Sequence, residues 1–434
     1  MKRVYRAALA AGVAGAALAA SMHSANAGGF ALREQSAAGM GVAFAGAAAG
    51  GAGLGSMFWN PATITQFDGW RSSWNISGIM PSSNITASLP TPLPLLAQGV
   101  SSGNIGQGAI LPASYTSYQL TDKIYLGLAT GAPYGLVTKA NSPSASTLYG
   151  ITSKVFSTEV TPTIGYKIND WLSVGAGIRI LYFKVGLSQA TNLAPPLMAR
   201  LQGDAWAAGF TLGATLRPGP NTTIGIGYRS QMRPKLEGTF EANIALPAAN
   251  GISANLVLPD QITVGITHKL DERWTLLAGG EWTHWSLFNR FPVISTGPFI
   301  PAGFPVTTLA FGWRDGWYAS AGAEYKWSPN LKLRGGLGYE WSPITTATRG
   351  TRLPDSNRIW ATAGFSWQVN EKISIDASYA HIFAQKGTIA LIPGNPTFNG
   401  AVPYFGSARS HVDIVSFGLN YRWDTPVRAV VAKY

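Results

Sequence analysis

The rhythm of the turns constrains this chain more than any other feature. Short polar turns fall at 121–123, 168–170, 217–221, 270–273, 328–330 and 369–372, and longer connections at about 82–107, 136–150, 189–201, 240–256, 289–305, 342–355 and 387–409. The two kinds alternate strictly, so six short and seven long connections join 14 segments. Within the segments polarity alternates with a period of two. Leu331, Leu333, Leu337, Tyr339 and Trp341 share one parity, and Lys332, Arg334 and Glu340 the other. In a strand those two sets face opposite sides. The pattern returns over 172–180, 359–367, 373–383 and 415–423. A soluble sandwich would also alternate, but tight turns at one end and long loops at the other, on an even strand count, belong to a barrel in an outer membrane. The expected fold is all-β: a 14-stranded antiparallel transmembrane β-barrel with periplasmic turns and extracellular loops.

The ends of the chain fit that reading. Lys2, Arg3 and Arg6 precede the small-residue stretch Ala7–Ala20, and Ala25-Asn26-Ala27 satisfies the small-x-small cleavage rule, so residues 1–27 read as a cleaved signal peptide. The stretch is mostly Ala and Gly, whereas a membrane anchor needs about 20 strongly apolar residues. Cysteine is absent, which removes disulfides and thiol chemistry. The 15 Trp and 16 Tyr would suit aromatic girdles. The formal charge of +12 is scattered, with no Lys/Arg run. Contact with anionic lipid headgroups or lipopolysaccharide fits this better than nucleic-acid binding does. The segment Ser416–Trp423 places aromatics at alternate positions and is similar to the terminal signal read by the barrel-assembly machinery. Residues 424–434 then form a periplasmic tail.

Residues 28–68 are unlike the rest: rich in Gly and Ala, without alternation, and ending in Asn60-Pro61-Ala62 and Phe67. Fourteen strands enclose more space than one layer of side chains fills, so the natural place for this segment is inside, as a hatch, with the barrel proper at 69–423. Here the sequence resembles the long-chain fatty acid transporter (FadL) family, whose members include channels for aromatic hydrocarbons. The start Gly28-Gly29-Phe30 through Gly41 resembles that family's hatch. The Asn60-Pro61-Ala62 turn, Leu258–Ile262 leading to Trp282–Ser286, and Arg352–Trp360 are similar to further family stretches. The resemblance implies a monomeric, plugged barrel that captures apolar molecules outside, holds them in an internal pocket and releases them sideways at a kinked third strand.

Several residues are candidates for those steps. Pro133, Tyr134 and Gly135 interrupt the strand that begins at Lys123. Proline removes a ladder donor and Gly relaxes the backbone, so this is either a strand end or a kink, and the resemblance implies a lateral gate. Leu193, Leu197, Met198, Ile244 and Leu246 make loop segments apolar where water is expected, which suits capture or loop packing. The resemblance places Phe30 and Leu32 in the ligand pocket, and Asn60 and Pro61 would shape the hatch turn. A fatty acid would want a cation for its carboxylate. Arg179 and Arg358 point inward by parity and are candidates, although lumen charges commonly pair with carboxylates such as Glu340. His268, His284, His381 and His411 sit in no nucleophile motif and no metal-type cluster, so neither an enzyme nor a cofactor is expected. A general porin would line its mouth with charge and leave no plug. Long-chain fatty acids and monoaromatic hydrocarbons both remain open as substrates.

Overall fold

The computed structural model describes residues 28–192, 197–243, 249–400 and 402–424. The proposed signal peptide, the tail beyond Asp424, and Leu193, Ile244 and Leu246 lie outside the described residues. Fourteen antiparallel strands close on themselves. They are β1 (Trp70–Ala87), β2 (Ala109–Gln119), β3 (Ile124–Gly131 and Gly135–Lys139), β4 (Thr152–Lys167), β5 (Leu172–Ala190), β6 (Met198–Gly219) and β7 (Thr222–Arg229 and Lys235–Ala242). Then come β8 (Asn250–Asn255 and Gln261–Lys269), β9 (Trp274–Thr283 and Arg290–Gly297), β10 (Pro305–Ala310 and Gly316–Lys326), β11 (Leu331–Trp341), β12 (Arg358–Gln368), β13 (Ile373–Ala384 and Gly387–Leu391) and β14 (Tyr404–Arg422). β14 pairs back onto β1 from Arg71↔Arg422 to Ala87↔Gly406, which leaves no open edge. Lipid offers the backbone no hydrogen bonds, and closure meets that demand.

The alternation resolves as expected. On β8, Ile262, Val264 and Ile266 face outward while Thr263 is buried; on β5, Ile178 is 60% exposed and Arg179 1%. Aromatic contacts mark both rims, Trp274–Tyr325 and Tyr325–Trp327 near the short turns, Tyr182–Trp206 and Tyr339–Trp341 at the other end. Most of the long connections are shorter than the sequence reading had them, although the one read as 342–355 runs on to 357. The strands run on through 189–190, 198–201, 240–242, 250–255, 290–297 and 404–409. Above the lipid the outward side chains turn polar, as with Lys184, Asp204 and Lys235, so period-two alternation ends before the strand does.

Residues 28–68 fill the ring. From Phe30 to Thr65 almost every residue is buried, in one short helix (Ala37–Met40, capped by the Ser36 side chain) and three 3₁₀ turns. Asn60 caps the last of these turns, accepting from Ala62 N (3.0 Å), and its amide donates to Ala48 O (2.7 Å) and to Ala214 O on β6 (2.9 Å). Pro61 takes the first position of that turn, where its missing N–H costs nothing. The wall gives way with glycine where the segment touches it. A Cβ on Gly225 would overlap the Ala48 carbonyl, and one on Gly227 the Trp59 carbonyl.

Leucine at both Gly225 and Gly227 should therefore unseat the segment without preventing insertion. In a planar bilayer the double variant should conduct steadily, like a porin, where the parent protein is nearly silent. Equal conductance of the two would show that residues 28–68 do not plug the lumen.

Candidate functional site

Strand β3 is interrupted but does not end. Its lower part pairs with β4 up to Gly131↔Glu159, and pairing resumes at Gly135↔Phe156. Three residues, Ala132 to Tyr134, thus oppose two, a bulge that bends the strand. On its other edge β3 pairs with β2 only between Gln119↔Tyr125 and Ser114↔Thr130. Ala109–Ala113 of β2, still paired with β1, have no ladder to β3. The break is therefore a kink within the sheet, with a seam beside it lined by Leu32, Ile79, Leu111, Ala132 and Tyr134.

The polar backbone at the kink finds its partners inside the barrel. Leu32 N donates to Pro133 O (2.8 Å), Gly135 N donates to Phe30 O (2.9 Å), and Ala31 and Tyr134 form an antiparallel bridge. Gln35 Nε2 donates to Ala132 O (2.8 Å). Ser157 Oγ accepts from Tyr134 N (3.0 Å) and donates to Tyr134 O (2.7 Å). The start of the inner segment acts as a replacement strand for β3.

That start also carries Phe30 into an aromatic cluster. Tyr134, Phe183, Trp285, Phe288 and Trp313 surround it with ring centroids 4.8–6.3 Å away. Trp285, Phe288 and Trp313 reach inward because β9 and β10 are also interrupted, at 284–289 and 311–315; the breaks at 230–234 and 256–260 contribute Met232 and Leu258. Beside the cluster lies a cavity of about 230 Å³ lined by Phe30, Leu136, Val155, Phe183, Leu236, Leu256, Phe311 and Leu353. An apolar chamber with few polar groups is what a hydrophobic ligand requires.

Among the described residues, one cation borders that chamber. Arg352, in the connection between β11 and β12, donates from Nη1 to Thr152 O (3.0 Å), Ser153 Oγ (3.2 Å) and Ser188 O (3.0 Å), and from Nη2 to Gln189 Oε1 (2.8 Å). All four acceptors are neutral, and no carboxylate pairs with it among the described residues. Burial alone lowers its pKa to about 10, so it stays charged at neutral pH. The two arginines singled out from sequence parity are both committed elsewhere. Arg179 is held by Glu159 (Nη2–Oε2 2.8 Å) and donates to Ser230 O, and Arg358 pairs with Asp355.

Charge also anchors the inner segment to the wall. Arg33 lies between Glu281 (2.5 Å) and Glu340 (3.1 Å), its guanidinium 3.9 Å from the Tyr318 ring centre. Arg229 shares Glu159 with Arg179 (2.6 Å), donates to Phe58 O (2.8 Å) and stacks 3.9 Å over the Phe58 ring. Of the loop residues named for capture, Met198 is the first residue of β6, paired with Ala190, and packs with other loop side chains; Leu197 beside it is half-buried. Arg352 was inside a stretch singled out by resemblance, but nothing in the sequence separated it from its paired neighbours.

The sequence model of the family described as outer membrane protein transport protein (OMPP1/FadL/TodX) matches residues 16–423. A long-chain fatty acid transport protein of Escherichia coli is 25% identical over 401 residues, covering 82% of this chain and 87% of the relative. Among solved structures, a FadL homologue of Pseudomonas aeruginosa superposes with a TM-score of 0.81 at 22% identity, covering 92% of this chain and all of its own. The toluene transporter TbuX of Ralstonia pickettii gives 0.67 at 19% identity, covering 90% and 99%.

Removing the Glu159 carboxylate should leave Arg179 and Arg229 buried together without a counter-charge. Glu159→Ala is expected to cost about 3–5 kcal/mol, as breaking a buried pair does. Glu237→Ala, which removes an exposed partner of Lys235 (3.1 Å), should cost at most about 1 kcal/mol. Urea unfolding midpoints in detergent compare the two. A Glu159 effect no larger than that of Glu237 would contradict the anchoring role.

Proposed function

We propose, from the premise that this chain belongs to the OMPP1/FadL/TodX family of outer-membrane transport proteins, that it takes up long-chain fatty acids through the wall of its own barrel. The protein is an outer-membrane β-barrel of a family of transport channels for hydrophobic compounds. The observation that carries the finer reading is Arg352, a charged group satisfied only by neutral acceptors at the edge of an apolar chamber. A long-chain carboxylate would place its tail among Phe183, Leu236 and Leu256 and its head at the guanidinium.

The path follows from the same geometry. Exposed apolar loop residues such as Leu89 and Leu93, 76% and 74% exposed, together with Leu197 and Met198, serve capture. Phe30 is part of the inner wall of the pocket, whereas Leu32, which the resemblance also assigned to it, lines the seam beside the kink. A ligand that displaces Phe30 pulls on the backbone that pairs with Pro133 and Gly135, and the seam beside Tyr134 then opens to the membrane. Asn60 and Pro61 hold the hatch turn to β6 throughout. The protein works as a single barrel, delivered by the barrel-assembly machinery and without enzymatic chemistry or a cofactor.

Binding of a long-chain carboxylate, the alcohol of equal chain length and toluene to the purified protein tests this reading. Arg352→Ala should weaken the carboxylate about 10- to 150-fold, the equivalent of a charge-assisted hydrogen bond of about 1.5–3 kcal/mol, and leave the alcohol unchanged. Toluene binding tighter than the carboxylate, with no effect of the substitution, would favour an aromatic hydrocarbon. Arginine at Gly135 should stop uptake in cells while the barrel still assembles; normal uptake would remove the seam from the path.

A further inference from the structure

The outer face of β3–β5 carries a feature that the transport path does not use. Phe156, Tyr182 and Trp206 form an aromatic row on the outside of β4–β6, with successive ring centroids 6.3 and 5.2 Å apart. Below the row the wall is apolar, with Val160, Ile178 and Ile180 all exposed. Above it stand Lys139, Lys154 and Lys184, all exposed and facing outward by parity.

The ladder fixes how these lysines relate. Lys139 is opposite Thr152, Lys154 opposite Gly186, and Lys184 opposite Phe156. Lys154 is therefore the diagonal neighbour of both others, at a backbone spacing of about 7–8 Å. Three cations descend across three strands toward the aromatic row. None of the three is in an ion pair among the described residues, and Asp204, directly across the ladder from Lys184, makes none with it. At three other positions near the same rim a partner is present. Just beyond Trp282, His284 meets Asp260 at 2.9 Å; just beyond Tyr379, His381 meets Asp413 at 2.7 Å; on β7, Lys235 pairs with Glu237.

Three like charges within reach of each other, with one carboxylate beside them at Asp204, make a site that favours an anion carrying more than one charge. Their place, immediately above the aromatic row and an apolar wall, fixes what that anion is attached to. We infer that this face is a docking surface for a phosphorylated glycolipid of the outer leaflet. Its phosphates lie on Lys139, Lys154 and Lys184, its sugars on the aromatic row, and its acyl chains on Val160, Ile178 and Ile180. The docked lipid stands against the same strand whose kink forms the seam, and it orders the membrane there.

Native mass spectrometry of the purified barrel with diphosphoryl lipid A, the same lipid without its phosphates, phosphatidylglycerol and inorganic phosphate tests the inference. The parent protein should retain the diphosphoryl lipid in preference to the other three. The triple substitution Lys139→Gln, Lys154→Gln and Lys184→Gln should weaken that binding roughly a hundredfold, about fivefold for each basic group near a charged lipid surface. Lys235→Gln should leave it unchanged. Retained heat-modifiable migration in gels shows that each variant is folded. A folded triple variant that binds within twofold of the parent would overturn the inference. So would a parent that holds the dephosphorylated lipid or phosphatidylglycerol equally well.

Discussion

A backbone group facing lipid without a hydrogen-bond partner costs several kcal/mol, and the rest of this structure follows from how that demand is met. Thirteen consecutive ladders and the closure of β14 on β1 meet it almost everywhere. Beside the interruptions of β7–β10, an exception is the kink at Ala132–Tyr134, where the wall itself has no partner to offer on the β2 side. It is tolerated because Leu32 N, Phe30 O and Gln35 Nε2 take up the freed groups from inside, and Ser157 takes those of Tyr134. The seam is closed by a segment that is not part of the wall, so it can be opened without breaking the wall.

One of the residues that close the seam, Phe30, also lines the chamber. Phe30 sits among five aromatic rings, and its own carbonyl accepts from Gly135. Occupancy of the chamber and closure of the seam are thereby tied through one short stretch of backbone. Behind it the inner segment is held firmly: Arg33 between two glutamates, Arg229 against Phe58, and Asn60 bonded to β6. Only the first residues are placed to move. Glycines of the wall let the remainder press directly on the strands, as at Gly225 and Gly227.

Turn spacing and alternation made the barrel legible from sequence, because both reflect a wall that is apolar on one face only. The inner segment was legible by contrast, since it lacks alternation. Strand ends were not, because alternation fades where Lys184 or Lys235 face water on both sides of the boundary. Nor were the inward breaks of β7–β10, where Trp285, Phe288 and Trp313 leave the strand parity to surround Phe30. The arginines show the limit most sharply. Parity placed Arg179 and Arg358 inward, but parity does not say whether a buried cation is paired, which depends on a carboxylate three positions away for Arg358 and on one on the neighbouring strand for Arg179. Glu159 answers Arg179 across β4 and β5, while among the described residues the donors of Arg352 meet only oxygens of Thr152, Ser153, Ser188 and Gln189.

Whether the inner segment must leave β3 for a molecule to pass can be tested with one disulfide. Ala31 and Tyr134 face each other as a non-hydrogen-bonded antiparallel pair, a geometry with Cα atoms about 4.5 Å apart that a disulfide can bridge. The chain has no cysteine of its own to interfere. With cysteine at both positions, uptake of a radiolabelled long-chain fatty acid by whole cells should stop on oxidation and return on reduction. Equal uptake in the oxidised and reduced states would contradict the account, because the substrate would then be passing without opening the seam at Tyr134.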